Sequence, residues 1–536
     1  MAVRPVEALR KLAIRPTYGY FVSGSYASGA GAPMRVHNPA TGELLSTVTS
    51  TSNEQVNTAI SLADEAFREG KWSQAPSLQR SIILSKLARS LEERIPDFAE
   101  MESLQTGRTI REMRAQLGRL PEWLDYYAAL LRTQSGFVAP TQGQLLNYVD
   151  RIPLGVVVQI TPFNHPMLIA LKKIAPALAA GNSVVVKPSE QAPLTVLEFA
   201  ALAHEAGIPP SVLTVVTGTG PELGKALVSN PLVKKVDITA GTATGRAIGS
   251  LAGSNLAAYT AELGGKAPVV IFEDADIQAA INGATFAAFI ASGQTCVSAT
   301  RLLVHEQIYD EFMSGLIDKV QKITSGIGNP LNPQSTMGPV ISQASLERIS
   351  AAVGRSTRRV LVGGYRMTGL SPLDDFDLSK GSFYAPTVIE DVGIDDEIWK
   401  EELFGPVVAV AKFKDEKHGV SLANASKYGL GAGIWTQNLS RAHRVAKQLE
   451  AGLVWVNTHH RNDPSSPWGG LKESGIGREN GIEAYESSPP AEGWSADGWI
   501  AVDSQSKSII VNIASMDDAR EKEDWFNEHG AGRRYG

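Results

Sequence analysis

The chain has 536 residues, a formal net charge of −6 and 20% charged residues. That length predicts two or three domains, the apolar fraction excludes a largely disordered chain, and the mild acidity without a long basic run excludes a nucleic-acid scaffold. No apolar stretch is long enough to span a bilayer, and a single cysteine cannot close an internal disulfide, which fits a reducing compartment.

The opening residues, MAVRPVEALRKLAIRP, lack the apolar centre of a secretory signal. Arg4, Arg10, Lys11 and Arg15 against Glu7 give them some likeness to a mitochondrial presequence, but a solvated extension is the preferred reading. The expected location is therefore cytoplasmic, with mitochondrial as the alternative. The stretch 52–70 carries a Ser/Asn cap signal followed by Glu, then Val56, Ile60, Ala63 and Phe67 at helical spacing. Residues 77–107 continue in helical pattern, with Pro96 predicted as a break.

From residue 148 the texture changes. GVVVQI, NSVVVK, VLTVV and VKKVDI are short apolar runs separated by helical segments. That alternation predicts a parallel sheet with helices on its faces, and such sheets bind ligands at the carboxyl ends of their strands. Those ends carry TPFNHP, KPSE, TGTGP and TAGTATG. The stretch 279–291, AAINGATFAAFIA, reads as a buried helix. After residue 265 a second α/β pattern follows in APVVIFE, RLLVHE, VVAVAKF, GAGIWTQ and GLVWVN.

The dinucleotide fingerprint GxGxxG is absent, as are a Walker A loop and HExxH, and no metal site is expected. TAGTATGRAIG places glycines at a strand-to-helix turn, where a pyrophosphate could rest, although such turns more often serve packing. Asn164 in TPFNHP could simply cap the helix that follows, and Glu262 in ELGGKAP could be an ordinary helix-end charge. The lone Cys296 in GQTC could equally be a buried small hydrophobe.

Taken together and in order, TPFNHP, KPSE, ELGGKAP, GQTC, EELFGP and PWGGLKESGIGRE resemble the aldehyde dehydrogenase superfamily over nearly the whole chain. The resemblance implies an α/β fold with a Rossmann-like cofactor domain (17–132 and 154–263), an α/β catalytic domain (264–464) and a small β oligomerisation element (133–153 and 482–515). Residues 1–16 and 516–536 would be extensions. It implies oxidation of an aldehyde to the carboxylic acid. Cys296 would be the nucleophile, Asn164 the oxyanion donor, Glu262 the general base and Lys173 a neighbour of the active site. Glu262 favours hydrolysis over transfer to coenzyme A.

The cofactor implied is NAD in preference to NADP, because Glu190 would repel a 2′-phosphate beside Lys187. Further cofactor positions carried over are Ile160, Thr161, Pro162, Phe163, Ser189, Gly220, Ala240, Gly241, Gly245, Leu263, Glu402 and Phe404. Ala240 and Gly241 depart from the family's usual glycine and serine. The substrate pocket departs further. His165, Lys172, Thr295, Val297, His459, His460 and Arg461 surround it, and their basic character predicts a polar or anionic small-molecule aldehyde.

Insertions at 371–381 and 488–503 are additions to the family pattern, the first read as an acidic surface loop. In relatives the final strand joins a partner subunit, so a homodimer or homotetramer is expected, without nucleic-acid or membrane partners. Two alternatives stay open: an esterase-like hydrolase using Cys296 and Glu262, and a catalytically silent binding relative.

Overall fold

The computed structural model describes residues 12–140, 146–486, 491–492, 507–512 and 524–526. The basic opening stretch, up to residue 11, and most of the 488–503 insertion lie outside the described residues.

The apolar runs after residue 155 form the strands Val156–Ile160, Ser183–Lys187, Leu213–Val215, Val233–Thr239 and Ala258–Glu262. Numbered along the chain, they lie in the order 3-2-1-4-5, all parallel. The order reverses between Val156–Ile160 and Val233–Thr239, and open α/β sheets present their ligand crevice at such a point. Tyr20–Val22 and Gly475–Ile476 extend the two edges of the sheet antiparallel.

A second sheet runs Thr387–Ile389, Val407–Phe413, Ala299–His305, Ala267–Ile271, Gly431–Trp435, Leu453–Val456, Ser508–Val511, again all parallel. Val360–Val362 pairs antiparallel at its edge. Phe137–Ala139, Asn147–Arg151 and Ala491–Glu492 make a separate antiparallel arm, with Phe137, Val138 and Tyr148 exposed.

Local expectations meet mixed outcomes. The helix Asn53–Arg68 starts on the expected Ser52 cap, with Glu54 in its first turn and Gln55 closing a capping box. Pro96 does not break its helix, which runs from Ser77 to Thr106 without interruption. Pro96 and Glu92, the residue whose carbonyl loses its partner, are both exposed, so solvent can satisfy that carbonyl. The acidic insertion is a surface loop as expected, anchored where Ser371 donates to the Ile327 carbonyl and Asp374 accepts from the Asn329 backbone and the Asn332 side chain.

Ser508–Val511 pairs with Leu453–Val456 of the same chain.

Arg301 ties the second sheet to its surroundings. It is fully buried, donates to the carbonyls of Lys266, Leu422, Ala423 and Ala425, and lies 5.0 Å from the Trp399 ring. Arg301→Leu leaves those carbonyls without their donor and is expected to lower stability by about 3–5 kcal/mol. Chemical denaturation with the midpoint and slope both fitted checks this, and an unmoved midpoint would show that the carbonyls find other donors.

Candidate active site

The site gathers where the carboxyl ends of the first sheet meet the amino ends of the strands Ala267–Ile271, Ala299–His305 and Val407–Phe413 in the second. Glu262 ends the strand Ala258–Glu262, opposite Thr239. Its side chain is almost completely buried, and neither carboxylate oxygen has a hydrogen-bond partner among the described residues. Buried carboxyl groups without partners are rare outside functional sites. Burial, reinforced by the nearby Glu479, pushes the Glu262 carboxyl well above its ordinary range.

Cys296 sits half-buried after a strained turn. Ala291, Ser292 and Gly293 take left-handed φ values of 52°, 55° and 69°. The first two are not glycines, and such backbone persists only where its surroundings enforce it. A Cβ on Gly293 would lie 2.3 Å from the Gly405 carbonyl oxygen, so only glycine fits there. The Ser292 hydroxyl donates to the Gly338 carbonyl and fixes the turn from the other side. Burial first, then Glu262 and Glu402, pushes the Cys296 thiol up to about 12. The resting group is therefore a thiol, and attack requires a base to take its proton.

Asn164 does not cap the helix Pro166–Ala179, whose N-cap His165 makes no side-chain cap bond. Its Nδ2 donates instead to the Gln294 carbonyl at 2.8 Å, two residues before the cysteine. The amide thus faces the Cys296 loop and keeps a second N–H.

Beside Glu262 runs a buried ionic chain. Lys173 Nζ bonds both Asp237 and Glu479, and Lys172 meets Glu479 at 2.9 Å and the Trp468 ring at 4.4 Å. Burial pushes the Glu479 carboxyl up, but Lys172 and Lys173 outweigh it and hold the group down at about 2. For Lys173, burial is likewise outweighed by Asp237 and Glu479, which raise its pKa. Glu479 escaped the sequence reading although it closes the stretch PWGGLKESGIGRE. Its sequence distance from Lys173 gave no local signal.

Residues expected at the pocket separate into groups. His165 and His460 face one another with ring centroids 5.9 Å apart. Arg108 Nη1 lies 2.6 Å from His165 Nδ1, and a guanidinium can only donate. Nδ1 is therefore the acceptor, and the neutral ring carries its proton on Nε2, which has no hydrogen-bond partner among the described residues. Burial and then Arg108 push His165 well below the ordinary histidine range, and burial with His459 pushes His460 to about 3. His459 Nε2 donates to the Val297 carbonyl at 2.7 Å. Val297 packs with Leu430, Leu453, Trp455 and Trp468. Thr295 is buried, and Arg461 accepts from Trp455 Nε1 through its carbonyl. The positive charge expected of these residues is not carried by His165 or His460, which burial and neighbouring cations hold neutral, and Lys172 is paired with Glu479.

The cofactor positions line the reversal of the first sheet and its rim. Ile160 pairs with Ile238, and Thr161, next in line, has a buried hydroxyl without a partner. Pro162 follows, and the Phe163 ring meets Phe404 edge-on at 5.7 Å. Lys187 ends its strand 3.6 Å from Glu190, while Ser189 Oγ accepts from the Gln191 backbone. A Cβ at Gly220 or Gly241 would meet nothing within 4 Å, so both flank open space. The Ala240 N–H donates to the Glu262 carbonyl, and Gly245 packs where a Cβ would come 2.3 Å from Leu263. Glu402 Oε1 accepts from the Gly265 N–H at 2.9 Å, and burial pushes its carboxyl up to about 7.

The aldehyde dehydrogenase family pattern matches residues 26–488. The chain belongs to the aldehyde dehydrogenase family. It is 38% identical to the (Z)-2-((N-methylformamido)methylene)-5-hydroxybutyrolactone dehydrogenase of Acinetobacter baylyi, over 87% of this chain and 93% of that relative. Betaine aldehyde dehydrogenase from Staphylococcus aureus, solved in complex with NAD+, superposes with a TM-score of 0.85 at 35% identity, covering 89% of this chain and 94% of that one. A mutant of the P. syringae indole-3-acetaldehyde dehydrogenase, solved with NAD+ and IAA, gives 0.85 at 33% identity, covering 90% and 96% of the two chains. This aldehyde dehydrogenase oxidises an aldehyde to the carboxylic acid.

Gly265 supplies a test of the geometry. A Cβ there would stand 2.0 Å from the Cys296 carbonyl oxygen. Gly265→Ala is expected to push the cysteine loop aside and slow alkylation of Cys296 about 10-fold or more, with the fold retained. Timed iodoacetamide labelling beside a melting curve checks it, and unchanged labelling would show that the loop yields freely.

Proposed function

We propose that this chain is an NAD-dependent dehydrogenase acting on a polar, uncharged aldehyde, with Cys296, Glu262 and Asn164 as its catalytic residues. The observation that carries the reading is the buried, unpartnered Glu262 carboxyl near the only thiol of the chain. Glu262, with its raised affinity for protons, takes the proton of the Cys296 thiol. The thiolate adds to the aldehyde carbon and forms a thiohemiacetal. The Asn164 amide and the Cys296 backbone N–H stabilise its oxyanion, each such donor being worth about 3–4 kcal/mol. When bound, NAD supplies the hydride acceptor that turns this adduct into a thioester. Glu262 passes that proton to solvent and then takes one from water as the water attacks the thioester carbon. The C–S bond breaks, the acid leaves, and the thiolate takes the proton back from Glu262 to restore the thiol. Lys173 acts through Glu479, which sets the electrostatic field at Glu262.

The open space at Gly220 and Gly241 and the free Thr161 hydroxyl fit a pyrophosphate and ribose lying over the sheet reversal. Lys187 and Glu190 would hold the adenosine ribose, and Glu402 the nicotinamide ribose, with Phe163 and Phe404 beside the ring. A polar substrate is supported by the His165 Nε2–H, a buried donor with no protein partner. The Acinetobacter relative is itself named for a formamido-bearing hydroxybutyrolactone. We assign the sheet reversal to a cofactor domain and Cys296 to a catalytic domain, with the boundaries expected from sequence. The exposed Phe137, Val138 and Tyr148 of the arm favour a homo-oligomer. A catalytic thiol that must stay reduced suits the cytoplasm.

NADH formation over a panel of polar, anionic and aliphatic aldehydes tests the reading. Cys296→Ser is expected to abolish turnover. Glu262→Gln is expected to lower it about 10²- to 10⁴-fold. A base with a raised pKa works only when deprotonated, so the parent rate rises with pH through that value, and this limb should vanish in Glu262→Gln. Full turnover by either variant sinks the assignment.

Glu190 offers a separate check on cofactor choice. Glu190→Gln removes the charge that would face a 2′-phosphate, and kcat/KM for NADP relative to NAD is expected to rise about 10-fold. An unmoved ratio would place discrimination elsewhere.

A further inference from the structure

Residues 524–526 lie beyond the region matched to the family, yet they are held close to the catalytic loop. Trp525 is only 1% exposed. Its indole meets the Phe286 ring edge-on at 5.9 Å and has the Arg111 guanidinium 5.3 Å from its centre. Ile290, the first residue of the turn that leads to Cys296, packs in the same cluster, with Ala115 at its margin. Asp524 is anchored by Lys319 from the helix Tyr309–Ser325.

These contacts come from elements that also build the pocket. Gln116, next to Ala115, bonds His165. Phe286 stands 6.4 Å from the His460 ring, which stands 5.9 Å from His165, the neighbour of Asn164. A file of rings therefore leads from Trp525 to the oxyanion donor. The indole is too large and too deeply buried to be an incidental surface contact, and an aromatic of that size fixes the width of whatever space it borders.

We propose that Trp525 forms the outer wall of the aldehyde channel and limits the size of the aldehyde that reaches Cys296. This rests on the reading of the pocket as an aldehyde channel. The wall is contributed by a segment outside the family's common framework, so it would distinguish this chain's substrate range from that of relatives sharing its catalytic residues.

Because Cys296 is the only thiol, channel width can be read without turnover. Parent, Trp525→Ala, Trp525→Phe and Lys319→Ala proteins are labelled with iodoacetamide and with a bulky N-aryl maleimide at about pH 8.5, where thiolate is more abundant. NAD is present at saturation to fill the cofactor entrance. The ratio of maleimide to iodoacetamide rate is expected to rise about 10-fold in Trp525→Ala, by less in Lys319→Ala, and little in Trp525→Phe. The ratio of kcat/KM for a bulky aromatic aldehyde over a small aliphatic one should move in the same order. An unchanged labelling ratio in Trp525→Ala overturns the proposal, as does equal acceleration of both reagents, which would mean general loosening. Should Trp525→Ala fail to fold, Lys319→Ala decides by the same two ratios. A parent that labels as expected but oxidises no aldehyde would fail the proposed function while leaving the wall in place.

Discussion

The buried run Lys172–Glu479–Lys173–Asp237 is the interaction on which the site depends. It joins a helix, Pro166–Ala179, to the central strand Val233–Thr239 and to a residue from the far end of the chain. Buried charges are expensive unless paired and hydrogen-bonded, so each member constrains the others. Removing one would leave an uncompensated charge beside Glu262. The run also does electrostatic work there: Glu479 raises Glu262, whereas Lys172 and Lys173 oppose that rise. The two lysines thereby temper a rise that burial begins and Glu479 reinforces.

The cysteine loop shows a second constraint, steric rather than ionic. Left-handed backbone at Ala291 and Ser292 is unfavourable by about 1–3 kcal/mol per residue. It is enforced by Gly293 against Gly405, by Gly265 against the Cys296 carbonyl, and by the Ser292 hydroxyl on Gly338. Phe404 and His460 are also left-handed, one among the cofactor positions and one at the pocket. Strain collects where side chains must be presented at fixed angles, and the surrounding parallel sheets, buried on both faces, are stiff enough to hold it.

Much of this was legible in sequence because its signals are local. Apolar β-branched runs separated by helical segments gave the strands of the first sheet, and Cys296, Glu262 and Asn164 lie in short stretches of recognisable order. What escaped depends on contacts between residues distant in the chain. Pro96 was expected to break a helix because local chemistry says so, and only its exposure in the fold shows why it need not. The histidines looked cationic as letters. Their charge is decided by burial and by Arg108, contributed from more than fifty residues away. Glu479 and Trp525 were missed for the same reason: nothing near either in sequence announces Lys173 or Phe286.

The neutrality of the pocket histidines has a consequence for recognition. A cationic pocket would select by long-range attraction, which solvent and salt weaken. A neutral, desolvated donor such as His165 Nε2–H selects by a different rule. It contributes little when a substrate supplies an acceptor, but leaving it unpaired against an apolar substrate costs about 1–3 kcal/mol. On the proposed reading of the substrate, discrimination against apolar aldehydes would come from the unmet hydrogen bond rather than from attraction. Arg108 makes this possible by holding Nδ1 as an acceptor, so the proton cannot move to the other nitrogen without placing two donors face to face. The pocket's polarity is thus set by a buried arginine whose contact is with the far side of the imidazole ring.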